Sequence, residues 1–274
     1  MGREGEAGMT VSAGRRTALV TGATSGIGYE FARLLARDGH DLVLAARSQE
    51  RLDAVAEEFR TGYGRRVEIV AVDLARDDGA GKVFQAVDDA GLAVDILINN
   101  AGYAVYGPFK DTDIDIELQM MHVNMLTLTT LTKRVLPLML GRRSGKILNV
   151  ASTAAFLPGP LMAVYYASKA YVLSFTEAIA EELRDTGVTV TALCPGPTAT
   201  GFQHRAAMEE SKLVKDREIM DAAAVAAAGY EGMMQGKTIV IPGLRNKLTT
   251  EAPRVLPRRV MTRLVRRSQE RAGT

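Results

Sequence analysis

From Thr17 onward, short apolar runs alternate with longer segments of helical period, and few architectures accept that rhythm. The runs are TALVT (17–21), DLVLAA (41–46), VEIVAV (67–72), DILIN (95–99), KILNVAS (146–152), VTVTALC (188–194) and KTIVIP (237–242). Each is apolar at consecutive positions rather than alternate ones, as a strand covered on both faces must be. Between them apolar residues recur every three or four, as at Ile27, Phe31, Leu34 and Leu35, before a stop at Asp38-Gly39. The expected fold is α/β: an open, doubly wound parallel sheet of about seven strands flanked by helices. Nothing interrupts the alternation, so residues 15–245 are expected to form one domain. Residues 1–14 read as a flexible leader and 246–274 as an extension.

A chain of 274 residues can bury a large core without staples. Its single cysteine, Cys194, cannot close an internal disulfide and reads as a small core hydrophobe. The net charge of +2 is unevenly spread. From Arg245 to the end, eight arginines and one lysine face two glutamates, so this tail carries +7 and the remainder −5. No apolar stretch is long enough to span a bilayer, and the opening residues lack the apolar core of a secretory signal. Glu6 stands where a myristoylation signal wants Ser or Thr. The expected location is the cytoplasm.

The first chemical signal is Thr21-Gly22-Ala23-Thr24-Ser25-Gly26-Ile27-Gly28, between the first run and the first helical segment. Glycines there allow a tight turn and close approach of a diphosphate. The helix N-terminus adds unpaired N–H groups and partial positive charge. The second run ends at Ala46, where NAD-binding chains usually carry a carboxylate for the ribose 2′-hydroxyl, and Arg47 follows directly. A missing carboxylate beside a guanidinium fits a 2′-phosphate, hence NADP(H).

The second signal is Tyr165-Tyr166-Ala167-Ser168-Lys169. Tyr165 and Lys169 are four apart and share a helix face, whereas Tyr166 is four before Ala170. A nearby ammonium favours the phenolate, which is expected to lower the phenol's pKa from its usual value of about 10. Such a pair can pass a proton to or from a carbonyl oxygen.

Together, in order, stand Thr21–Gly28, Asn99-Asn100-Ala101-Gly102, Asn124, Ser152, Tyr165, Lys169 and Pro195-Gly196. Over residues 15–243 this pattern strongly resembles the single-domain branch of the short-chain dehydrogenase/reductase family, which has a Rossmann-type fold. The resemblance implies that Tyr165 is the general acid in reduction and the base in oxidation. It implies that Lys169 lowers the tyrosine's pKa and binds the nicotinamide ribose, while Ser152 hydrogen-bonds the substrate oxygen. Asn124 matches the asparagine that holds a relay water. Gly22, Thr24, Ser25, Gly26, Ile27 and Gly28 match the phosphate turn. Asp73 and Leu74 match the adenine contact, and Asn100, Ala101 and Gly102 match the ribose-side segment. Pro195, Gly196 and Thr198 match the loop over the nicotinamide, with Thr200 a second choice for the carboxamide. Asp73 and Asn100 could instead cap strand ends.

The implied substrate is a small carbonyl or alcohol, expected to be a hydrophobic ketone or aldehyde. Reduction of 3-oxoacyl thioesters and a cofactor sensor with little turnover are the alternatives. In this family the segment after Pro195-Gly196 forms a lid, and here it offers Phe202, Met208, Leu213, Val214, Met220, Met233 and Met234. The same residues equally suit amphipathic helices packing on the core. Tyr103, Tyr106 and Phe109 could line the opposite wall. His40, His122 and His204 have no zinc-ligand spacing, so no metal is expected. A homodimer or homotetramer is expected, through the helices after the fourth and fifth strands.

The tail departs from the family's usual ending. Leu256, Val260, Met261, Leu264 and Val265 fall on one helical stripe, with Arg258, Arg259, Arg263, Arg266 and Arg267 around it. Such a helix suits an anionic bilayer surface, where each cation contributes about 1 kcal/mol. It equally suits packing on the chain's own body or on a second subunit. Nucleic acid is not expected, since the tail offers no aromatic platform.

Overall fold

The apolar runs become the strands of one parallel sheet. A computed structural model describes residues 16–201, 219–254 and 257–270. The leader, Phe202, His204, Met208, Leu213, Val214 and Leu256 lie outside the described residues. The strands are β1 (Thr17–Thr21), β2 (Asp41–Ala46), β3 (Val67–Ala71), β4 (Val94–Asn99), β5 (Gly145–Val150) and β6 (Val188–Leu193). Two short strands, β7 (Thr198–Ala199) and β8 (Met220–Asp221), pair separately, and β9 (Ile239–Val240) closes the main sheet.

The sheet order is β3-β2-β1-β4-β5-β6-β9, with every pairing parallel. β9 is shorter than the run at 237–242 suggests, pairing only Ala192 with Ile239 and Leu193 with Val240. Pro242 beyond it has no N–H to continue the ladder.

Two layers of helix cover the sheet. Helices α1 (Gly26–Arg37), α2 (Gln49–Tyr63) and α7 (Ala222–Met234) bury Phe31, Leu52, Phe59 and Val225 on one face. On the other, α3 (Gly79–Asp89) and α5 (Leu128–Gly141) bury Val83, Phe84, Leu131 and Met139. Burying each such side chain contributes about 1.5–3 kcal/mol. Helix α1 ends at Asp38 because Gly39 takes φ of +95°, a left-handed turn that suits glycine.

The strand order reverses between β1 and β4, the neighbours that send their chains to opposite sides. That reversal opens a crevice beyond their C-terminal ends, the usual ligand position in such sheets. Helix α4 (Ile114–Met121) runs into a π-helical turn (His122–Thr127) and then α5. Helix α6 (Ala163–Glu182) follows β5. Among the described residues, no helix is long and apolar enough to cross a membrane.

The tail forms α8 (Leu244–Glu251) and α9 (Arg258–Gln269). Of the predicted stripe, Met261 and Val265 are buried against the body, while Val260 and Leu264 remain 43% and 46% exposed. Two members of the stripe, Met261 and Val265, therefore pack on the chain itself.

Candidate active site

A cavity of about 810 Å³ occupies the crevice. Its first boundary is the turn after β1. The Thr21 hydroxyl accepts hydrogen bonds from the backbone N–H groups of Asn100 and Ala101, each at 3.0 Å. The Asn100 amide donates to Thr21 O at 2.9 Å and Gly22 O at 3.2 Å. Asn100 thus fastens the two strand ends, the capping role it was given as an alternative, and also lines the cavity. Asn99 points the other way into a buried chain, donating to Thr132 Oγ1 and Asn149 Oδ1.

The turn leaves no space for side chains at its glycines. A Cβ on Gly28 would overlap Asn100 Nδ2 and the Gly22 carbonyl oxygen. Gly28→Ala is expected to destabilise the fold by about 1–3 kcal/mol, read by chemical denaturation; unchanged stability would show that the turn relaxes freely. Ser25, at the N-cap of α1, makes no side-chain capping bond. The first-turn N–H groups thus have no side-chain cap from Ser25, and Thr24, Ser25, Gly26 and Ile27 line the cavity beside them.

Further along, Ala46 and Arg47 at the end of β2 line the cavity, and Arg51, four residues on, lines it too. Arg51 was not foreseen: it lies on α2 whereas Arg47 precedes that helix, so no helical spacing pairs them. Asp73 is exposed, and its Oδ1 accepts from the Ala75 N–H at 3.0 Å, a local cap. Leu74, Ala101 and Gly102 continue the wall.

At the other end Ser152, Tyr165 and Lys169 converge. Ser152 follows β5; its Oγ accepts from the Ala154 N–H at 3.1 Å and is hydrogen-bonded to the Tyr165 phenol. Lys169 is buried and its Nζ donates to Val150 O at 2.8 Å, 5.8 Å from the Tyr165 ring centre. Burial pushes the Lys169 ammonium down to about 8. Burial likewise raises the Tyr165 phenol well above its usual range, against the Ser152 hydrogen bond that lowers it. The expected lowering by the ammonium is therefore overturned here: desolvation dominates, and Tyr165 is held as a neutral phenol.

Asn124 lies in the π-helical turn, a distortion common at functional sites. It is buried, donates to Tyr103 O and Ser168 Oγ at 3.1 Å, and accepts from the Tyr103 N–H at 3.2 Å. A Cβ on Gly102 would come within 2.9 Å of its Oδ1 and 3.5 Å of Lys169 Nζ, so these groups border one point. Pro195, Gly196 and Thr198 close the site from above β6, the Thr198 hydroxyl donating to Gly196 O at 2.9 Å. Thr200 sits against Gly26.

A family model for short chain dehydrogenases matches residues 16–211. The chain belongs to the short-chain dehydrogenase/reductase family. It is 37–38% identical to human very-long-chain 3-oxoacyl-CoA reductase and Bacillus subtilis YvrD over 187 and 182 residues. Those segments are 67% and 66% of this chain. They cover 59% of the human protein, so the chain spans about three fifths of that relative, and 68% of YvrD. Among solved structures, a short-chain dehydrogenase from Sphingobium yanoikuyae in complex with NADPH is 34% identical with a TM-score of 0.79. The match covers 87% of this chain and 94% of that one.

At the substrate end the apolar candidates divide. Tyr103 lines it, but Phe109 is exposed, and Met220 and Met233 pack in the core beside α1 and α7. Their places are taken by Leu157, Met162 and, from the tail, Met261, Leu264, Val265, Ser268 and Gln269. The amphipathic stripe was visible in sequence; its docking place depends on contacts some hundred residues away.

Proposed function

We propose that this chain interconverts a hydrophobic ketone or aldehyde and its alcohol with NADP(H). The observation that carries the reading is the convergence of Ser152, Tyr165 and Lys169 at one end of a trough that has Arg47 and Arg51 at the other. The trough fits the dinucleotide. Its turn is pared to glycine where a diphosphate must approach, its helix N-terminus is uncapped, and no carboxylate stands at Ala46. Arg47 and Arg51 would hold the 2′-phosphate, Thr24 to Gly28 the diphosphate, and Asp73 and Leu74 the adenine side. Asn100 to Gly102 would hold the ribose, and Pro195, Gly196 and Thr198 the carboxamide end.

When bound, the nicotinamide supplies or accepts the hydride equivalent at the carbonyl carbon. Ser152 hydrogen-bonds the substrate oxygen as negative charge grows there. Tyr165, a neutral phenol, gives that oxygen its proton in reduction and takes it back in oxidation. Lys169 stabilises the phenolate left behind, and Asn124 fixes the backbone of Tyr103 beside it and would hold a relay water. A silent sensor would need only the cofactor end, and the convergence of Ser152, Tyr165 and Lys169 favours turnover over that reading.

The test is NADPH oxidation across carbonyls graded by chain length, ring size and thioester content, with NADH in parallel. Arg47→Ala is expected to weaken NADPH binding by about tenfold or more, the scale of a lost charge-assisted pair, with NADH within about twofold. Equal losses for both cofactors would refute the 2′-phosphate reading. Identity to the human 3-oxoacyl-CoA reductase supports a second reading, thioester reduction, which the same panel separates. A solved alcohol dehydrogenase from Comamonas testosteroni described as specific for bulky-bulky ketones is 28% identical, with a TM-score of 0.74 over 88% of this chain and 99% of that one, and supports the first.

Association is expected through α4 to α6, where Ile114, Leu118, Leu126, Leu138 and Tyr171 are exposed. Sedimentation should show a dimer or tetramer, and a monomer at micromolar concentration would refute it.

A further inference from the structure

Helix α9 lies where a substrate must fit. Val265 packs in the same cluster as Ala154, Met162, Tyr165 and Tyr166, although it is a hundred residues from the catalytic tyrosine. Met261 and Leu264 line the cavity beside it. We propose that α9 is the specificity-determining wall of the substrate subsite. Met261, Leu264 and Val265 bound the space for a neutral, apolar substituent of the carbonyl compound. The proposal rests on the carbonyl reading above and adds to it what selects the substrate.

Two walls fasten the helix at one residue. Gln269 is fully buried at its end; its Nε2 donates to Tyr166 Oη at 2.6 Å, and its backbone oxygen accepts from Tyr106 Oη at 2.6 Å. Tyr166 is a firm anchor because its ring fills the space a Cβ on Gly159 would need. It also stands edge-on to Tyr165, with centroids 6.1 Å apart. The helix therefore seats against the immediate neighbour of the proposed proton donor. A residue that shifts α9 shifts the space in front of Tyr165.

Charge decides the class of group that fits. Among the described residues, the charged side chains lining the cavity are Arg47, Arg51, Asp73 and Lys169. The first three belong to the dinucleotide end and Lys169 donates to Val150 O. The arginines of α9 point elsewhere: Arg258, Arg259, Arg263, Arg266 and Arg267 are all exposed. Around Met261, Leu264 and Val265 a carboxylate or phosphate would meet no described cation, while an aliphatic or aromatic ring would meet side chains that gain from covering it.

The test compares kcat/KM for 2-tetralone with that for 2-butanone. Leu264 is half exposed at the rim, so Leu264→Trp should fold and fill the space. It is expected to lower the 2-tetralone to 2-butanone ratio by about tenfold, and Met261→Ala to raise it severalfold. NADPH affinity, followed by its fluorescence, should stay within about twofold in both. A ratio unchanged in both variants overturns the proposal. If the native chain reduces no carbonyl at all, the reading above falls instead. The wall is then read by binding of the neutral dye Nile red to the NADPH-loaded protein. Binding about tenfold weaker in Leu264→Trp upholds the wall, and equal binding overturns it.

Discussion

Tyr165→Phe is expected to reduce turnover by about a hundredfold or more while NADPH affinity stays within about twofold. The variant keeps the ring that shares an apolar cluster with Ala154, Met162, Tyr166 and Val265, and removes only the hydroxyl that is hydrogen-bonded to Ser152. Its effect should therefore fall on the chemical step rather than on folding or cofactor binding. Tyr166→Phe is the control, since that hydroxyl faces Gln269. It should disturb the tail and not the proton transfer. Stopped-flow single turnovers would read the step directly. Turnover above a tenth of the native value would assign the acid to another group.

Burial of Tyr165 also sets the direction of its pH response. Its phenol is raised by desolvation, so it stays protonated through the neutral range, the form that reduction needs. The short-range rule read from Tyr165 and Lys169 pointed to a lowered value. It counted the ammonium and could not count the water that folding removes. Lys169 shows the same desolvation in the opposite sense, as a base must.

That contrast describes what the chain discloses of itself. The sheet was legible because each strand is a short run dominated by Val, Ile, Leu and Ala between helical segments, and the turn, Asn100, Ser152, Tyr165 and Lys169 because each stands at a strand end or helix face fixed by local spacing. β9 was overestimated because Pro242 and its edge position act through pairing, not through hydrophobicity. Arg51 was missed because one arginine on a solvent-facing helix looks like any other. The tail's stripe left its partner open between a bilayer, the chain's own body and a second subunit, since Tyr106, Met162 and Tyr166 are distant in sequence and nothing local ties residue 269 to residue 106.

Lys169→Met carries two opposite consequences, and together they test why the lysine is there. Turnover should fall by about a hundredfold or more, since the phenolate left by proton transfer loses its only neighbouring described cation. Stability should rise. The ammonium is buried, donates to Val150 O, and has no salt bridge among the described residues, so its charge is an unfavourable burial. Its pKa is pushed from 10.5 down to about 8, so between those values the unfolded chain holds the proton and the folded chain does not. Native stability then increases with pH across that window, by about 2 kcal/mol from pH 8 to 9.5. Below pH 8 both states are protonated and the penalty is constant. Chemical denaturation without cofactor should thus find Lys169→Met the more stable protein at pH 7, with the gap narrowing by pH 9.5. A variant less stable than the native chain at pH 7 would mean that the lysine holds the fold together. The opposite result would mark it as a charge kept in the core for function, at a cost to the fold.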